Sequence, residues 1–195
     1  MNYFQLSPKD QRNNSWILYD HPAVGPVRLK DQYKPLRCPG CHKFDELAAI
    51  RIGITEPQIG GQADYLMTSD GLIVASEKLV GLLNQNGIGG FESISLRPYS
   101  LYSILWPAAL VKTDREAMGI RIHGTCDACG RYLETSFLPR LLSLTPPRDP
   151  MSLFSSEVWA EGRHGKRLWF NASEQIVDVL RAACITGVEC LLLKP

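Results

Sequence analysis

The chain has 195 residues, 45% of them hydrophobic, which is enough to bury a core as one large domain or two small halves and excludes a disordered chain. Basic and acidic residues are balanced at 21 and 20, so no global field recruits nucleic acid or anionic lipid. A nucleic-acid role would need a local patch.

Residues 1–7 lack the basic start and apolar stretch of a secretory signal, and Pro8 follows at once, so a cytoplasmic location is expected. The apolar run 101–111 is interrupted by Ser103 and Pro107 and falls short of the roughly 20 residues that cross a bilayer. No membrane partner is expected. Residues 16–19 and 47–54 have β-compatible patterns. Between them lies a short cysteine knuckle, Cys38-Pro39-Gly40-Cys41. Next come an apolar strand at 72–74, a helix opened by Ser76 and Glu77, a turn at Gly87-Ile88-Gly89-Gly90, and a strand at 91–96. The glycine turn follows a helix instead of opening one, so it is no phosphate loop.

Strands are expected again at 119–123 and 131–137, on either side of a second knuckle, Cys126-Asp127-Ala128-Cys129-Gly130. Residues 144–150 hold three prolines and read as a loop. Arg163, His164, Lys166 and Arg167 form a basic stretch beside Trp159 and Trp169, which reads as a solvated loop over two core tryptophans. The chain then offers a strand at 168–170, a helix opened by Ser173 and Glu174, and a strand at 188–193.

Residues 75–98 align without a gap on residues 172–195, with ten identities in twenty-four positions. Ala-Ser-Glu opens both copies, and Val80, Leu83, Ile88, Gly90, Glu92, Leu96 and Pro98 recur as Val177, Leu180, Ile185, Gly187, Glu189, Leu193 and Pro195. In the first helix Leu79, Val80, Leu82 and Leu83 form the apolar stripe, ended by Gly87; in the second Ile176, Val177, Val179 and Leu180 do. The expected fold is α+β, strand-rich with two principal helices, built from two diverged tandem repeats in a pseudo-twofold arrangement. A first module spans 1–110 and a second 111–195, together one compact unit. The knuckles are 88 residues apart and the helical units 97, so the second module carries about nine extra residues, placed at 161–167.

Each C-x-x-C puts two thiolates on one tight turn, and tetrahedral zinc takes four such ligands at about 2.3 Å. Although 84 residues separate Cys41 from Cys126, Cys38, Cys41, Cys126 and Cys129 are expected to hold one structural zinc ion shared between modules. A catalytic zinc would keep an open position, and four thiolates close the shell. A thioredoxin-like role for the first knuckle leaves the second unexplained and lacks a clear apolar helix after Cys41. Cys184 and Cys190 sit in apolar settings and read as inert buried thiols. His21, His42, His123 and His164 are scattered without a hydrolytic pattern, although His42 and His123 lie close enough to the knuckles in sequence to assist the metal. No enzyme is expected.

The paired knuckles and the duplicated Ser-Glu helix resemble the double-CXXCG motif family of bacterial paralogues, over nearly the whole chain. The second motif matches in full from Cys126 to Gly130, whereas His42 stands where the first would carry glycine. Members of that family are similar to immunity proteins of the Sit type, which protect kin cells against lipoprotein-delivered toxins. The resemblance implies a cytoplasmic antitoxin that binds a cognate protein toxin, with the four cysteines as metal ligands and no catalytic residue to carry over. The reading from another class is a zinc-ribbon nucleic-acid-binding regulator centred on Arg163, Lys166 and Arg167, although no basic surplus elsewhere supports a groove.

Overall fold

The computed structural model describes residues 1–9, 15–20, 27–43, 45–114, 116, 119–133, 135–136, 145–157, 160–162, 165–167 and 169–193. A strand, β1 (Tyr3–Pro8), comes first, followed by a 3-10 turn at Asp31–Leu36 and a helix, α1 (Glu46–Ile52). The middle of the chain forms β2 (Tyr65–Met67), β3 (Ile73–Ser76), α2 (Glu77–Gln85), β4 (Phe91–Ser95) and β5 (Tyr102–Pro107). Short strands follow: β6 (Leu110–Val111), β7 (Arg121–Ile122), β8 (Thr135–Ser136), β9 (Ser155–Ser156), β10 (Ala160–Gly162) and β11 (Gly165–Arg167). The last elements are β12 (Phe170–Ser173), α3 (Glu174–Ala182) and β13 (Val188–Leu192). The fold is therefore mixed helix and strand with several antiparallel sheets.

Both expected helices form where their caps predict. The Ser76 hydroxyl accepts from the Leu79 amide at 3.2 Å and that of Ser173 from the Ile176 amide at 3.4 Å, each satisfying an otherwise free first-turn donor. Leu79 and Leu83 on α2, and Ile176, Val177 and Leu180 on α3, are buried. Beyond α2, Gly87 adopts φ 65°; at the matching place beyond α3, Cys184 adopts φ 50°, a left-handed conformation without glycine's freedom.

The expected strand at 47–54 is instead helix α1. Ile50, Ile52 and Ile54 alternate like a strand, but Asp45 caps the segment by accepting from the Ala48 amide at 2.9 Å, and two alanines favour the helix. Its buried residues, Glu46, Ala49 and Ile50, follow helical spacing, and Ile52 is 60% exposed. Residues 16–19 form only isolated bridges, from Trp16 to Gln58 and from Tyr19 to Leu29. The buried carboxylate of Asp70 takes the amides of Ile17 and Leu18 at 2.9 and 2.7 Å, so these donors are not available to a sheet partner. The strand expected at 119–123 is reduced to β7, and that at 131–137 to β8 plus a Thr125–Tyr132 bridge, with Phe137 outside the described residues. Leu168, where the later strand was expected to open, also lies outside them.

Two sheets organise the molecule. The first has the order β2-β3-β5-β4 and the second β12-β1-β13. In the first, β5 is flanked by β3 and β4, with Tyr102 opposite Ser76, Leu105 opposite Ile73 and Pro107 opposite Phe91. In the second, β1 is flanked by β12 and β13, with Tyr3 opposite Ser173, Leu6 opposite Phe170 and Pro8 opposite Val188. The chain thus begins in the second sheet, crosses to build the first, and crosses back. Each crossing carries one knuckle.

The sheets and helices α2 and α3 share one core, containing Leu6, Tyr65, Ile73, Leu79, Leu83, Leu105, Phe170, Ile176 and Leu180. A second core lies on the other face of the first sheet, where Val74, Ile104 and Trp106 meet Ile17, Leu18, Leu29, Tyr33 and Ile50. Alternate side chains of β3 enter opposite cores, as the two-residue period of a strand requires. The turn after each helix docks on the other sheet's lead-in. The Gly89 amide donates to the Met151 carbonyl and the Leu153 amide to the Gly89 carbonyl, both at 2.9 Å; the Tyr65 amide reaches the Thr186 carbonyl at 3.1 Å. At Gly90 (φ 81°) a Cβ would stand 1.8 Å from the Leu153 carbonyl oxygen, and at Gly187 (φ 80°) 2.4 Å from that of Tyr65. Only glycine allows either approach.

Candidate metal centre

Both knuckles are built by the same backbone bonds. In the first, the His42 amide donates to the Cys38 carbonyl at 2.9 Å and the Cys38 amide to the Lys43 carbonyl at 2.7 Å. In the second, the Gly130 amide donates to the Cys126 carbonyl at 2.7 Å and the Cys126 amide to the Arg131 carbonyl at 2.8 Å. His42 (φ 59°) and Gly130 (φ 69°) take the same left-handed turn position. His42 is thereby committed through its backbone to shaping the turn.

The turns lie face to face. A Cβ on Gly40 would be 3.1 Å from both the Ala128 Cβ and the Cys126 Sγ. The Sγ atoms of Cys38 and Cys126 are 3.8 Å apart and those of Cys41 and Cys129 3.7 Å, and all four lie within 4.8 Å of one another. A tetrahedron with zinc–sulfur bonds of about 2.3 Å has edges of about 3.8 Å, so the donor set and its spacing fit that ion. Cys126 is buried, Cys38 and Cys41 half-buried and Cys129 exposed.

The thiols are electrostatically unequal. Backbone amides of Cys41 and Gly40 point at Cys38 and bring its thiol down to about 6. At Cys129 a bond from the Arg131 backbone lowers the value, but desolvation and the neighbouring sulfurs of Cys38, Cys126 and Cys41 together push it up to about 12. Crowded thiols cannot all ionise unless a cation replaces the protons.

Sequence reasoning missed the side chains that clamp the knuckles. Lys43 Nζ crosses to the carbonyl oxygens of Tyr132 and Leu133 at 3.0 and 2.6 Å, and Arg131 pairs with Asp45 at 3.3 Å. Lys43 and Arg131 each follow the left-handed residue of their knuckle, and that shared basic position was the available signal. His42 and His123 are both exposed, and among the described residues no histidine joins the sulfur cluster. His21 and His164 lie outside the described residues. Contrary to expectation Cys184 is exposed, because the chain turns left-handed there to leave α3; Cys190 is partly buried, and burial raises its thiol.

Of the basic stretch, Lys166 and Arg167 lie on β11, paired with β10, while Trp159, Arg163 and His164 fall outside the described residues; Trp169 packs against the shared core. No helix among the described residues is long and apolar enough to cross a membrane. Comparison with protein families, with curated proteins and with solved structures found no match.

Proposed function

We propose that Cys38, Cys41, Cys126 and Cys129 hold one structural zinc ion that staples a duplicated, pseudo-twofold scaffold. The observation that carries this reading is the sulfur spacing, two cross-knuckle pairs at 3.8 and 3.7 Å. Joining Cys41 to Cys126 closes a loop of 84 intervening residues, and a cross-link of that span restricts the unfolded chain by roughly 4 to 5 kcal/mol in the loop-entropy treatment. Support for the duplication comes from the element bounds: β3, α2 and β4 start 97 residues before β12, α3 and β13. Their central partners β5 and β1 keep the same register against them.

On this scaffold the function is binding. Four thiolates leave the metal no open position for a substrate, so the ion supplies rigidity and no reaction step. Taken with the resemblance to the double-CXXCG motif family, the reading is an immunity protein of the cytoplasm that occludes the active surface of a cognate toxin. Metal analysis tests the first part, with about one zinc per chain expected. Co-expression with the toxin encoded beside it tests the second; a pair that neither co-purifies nor rescues growth sinks the immunity assignment.

A further inference from the structure

β1 makes its sheet bonds to β12 and β13, more than 160 residues along the chain, on both of its edges. β5 is likewise flanked on both edges, by β3 and β4. Division of the chain at the exposed turn between Tyr99 and Leu101 gives one segment holding β1, the first knuckle and β2-β3-α2-β4, and another holding β5, the second knuckle and β12-α3-β13. Each segment lacks the middle strand of its own sheet and carries the middle strand of the other.

Further contacts cross the same division. The turn at Gly89 and Gly90 meets Leu153, the turn at Thr186 and Gly187 meets Tyr65, Lys43 reaches Tyr132, and Asp45 meets Arg131. The shared core draws Leu79 and Leu83 from one segment and Ile176 and Leu180 from the other. From this reciprocity we infer that segments 1–100 and 101–195 are mutual binding partners, and that the slot between β12 and β13 accepts Tyr3–Pro8 from a second copy of this chain as well as from its own. The peptide link raises the local concentration of the partner without defining the interface. Exchange of an identical element between copies is a low-cost route to association when every bond is preserved. On the zinc reading proposed above, the metal closes the exchange in this protein.

The test uses the full chain with a protease site inserted after Ser100, folded with zinc and then cut. A second form carries the site after Gly119, where the space about Cα is open; it leaves β5 with the first fragment, so it tests the slot between β12 and β13 by itself, and it serves if the first insertion disturbs the β4–β5 hairpin. Native mass spectrometry of the cut protein is expected to show a single particle containing both fragments. When light and isotope-labelled cut proteins are mixed, treated with chelator and resupplied with zinc, about half of the particles should be hybrids. Fragments that separate while zinc is present overturn the inference, as do fragments that stay together yet never form hybrids. Hybrids that form with no zinc bound uphold the strand exchange and remove the metal reading alone.

Discussion

The two sheets share a register but differ in what their second face meets. In the first, the row formed by Val74, Ile104 and Ile94 is apolar and packs beneath the layer that contains α1. The corresponding row of the second is Asn171, Gln5 and Leu191; Asn171 and Gln5 are buried, and Leu191 is 40% exposed. Asn171 reaches the Phe154 carbonyl through its amide nitrogen at 3.4 Å while its Oδ1 is buried without a hydrogen-bond partner among the described residues, so this row lacks the apolar packing that its counterpart has. One strand arrangement therefore tolerates two outer faces, because register depends on the shared inner row of Ile73, Leu105, Phe170 and Leu6.

The strongest way to break the equivalence is at the docking glycines. Gly90→Ala places a carbon against the Leu153 carbonyl and should cost more than about 4 kcal/mol, with Gly187→Ala somewhat less damaging because its nearest backbone atom is farther away. Soluble yield and urea midpoints measure both; two tolerated alanines would mean that the turns do not dock as described.

The knuckles come next. Cys126→Ser and Cys38→Ser should each abolish zinc binding and lower stability by about 3 to 4 kcal/mol, somewhat under the full loop-closure value. Zinc content and chemical denaturation give the comparison. If only one knuckle matters, a shared ion is wrong.

A smaller asymmetry lies at the helix caps. Asp64 accepts from the Thr186 amide and hydroxyl at 2.9 and 3.0 Å, from Ser76 at 2.7 Å and from Lys78 at 3.3 Å, whereas Ser173 donates to the Pro150 carbonyl. Burial tends to raise the Asp64 carboxyl, but the bonds from Thr186, Ser76 and Lys78 outweigh it and hold the group below the usual range. A depressed carboxylate stabilises the fold above its unfolded value near pH 4 and loses that contribution as pH falls through the lower folded value. Asp64→Asn should therefore cost about 2 kcal/mol at neutral pH and nearly nothing in strong acid, read from denaturation at several pH values. Pro150 contributes a carbonyl that does not titrate, so its side has no matching acid sensitivity.

The mildest expectation is a gain. Cys184→Gly and His42→Gly remove left-handed strain that Gly87 and Gly130 avoid in the matching places. Each should raise stability by about 0.5 kcal/mol, after glycine's own entropy is discounted. Thermal melts would show it, and a loss instead would mean that the two side chains contribute contacts of their own.

Much of the site was legible because knuckles and caps are local devices: Ser76 and Ser173 mark their helices, and the C-x-x-C pairs name the four sulfurs that cluster. Helix α1 was not, since alternation from Ile50 to Ile54 imitates a strand and only the Asp45 cap says otherwise. β1 was hidden too. Tyr3, Leu6 and Pro8 match Tyr102, Leu105 and Pro107, but at an offset of 99 residues, outside the gapless match at 97. Which strand fills which sheet depends on contacts across nearly the whole chain, and local pattern carries no record of them. The clamps from Lys43 and Arg131 escaped notice for the same reason.

During synthesis at about 5 to 20 residues per second, Leu6 is added roughly 10 to 40 s before Cys190, the residue it must face. For that interval an unpaired strand edge stands open to any neighbour, so nascent copies on one message are each exposed to the wrong Tyr3–Pro8.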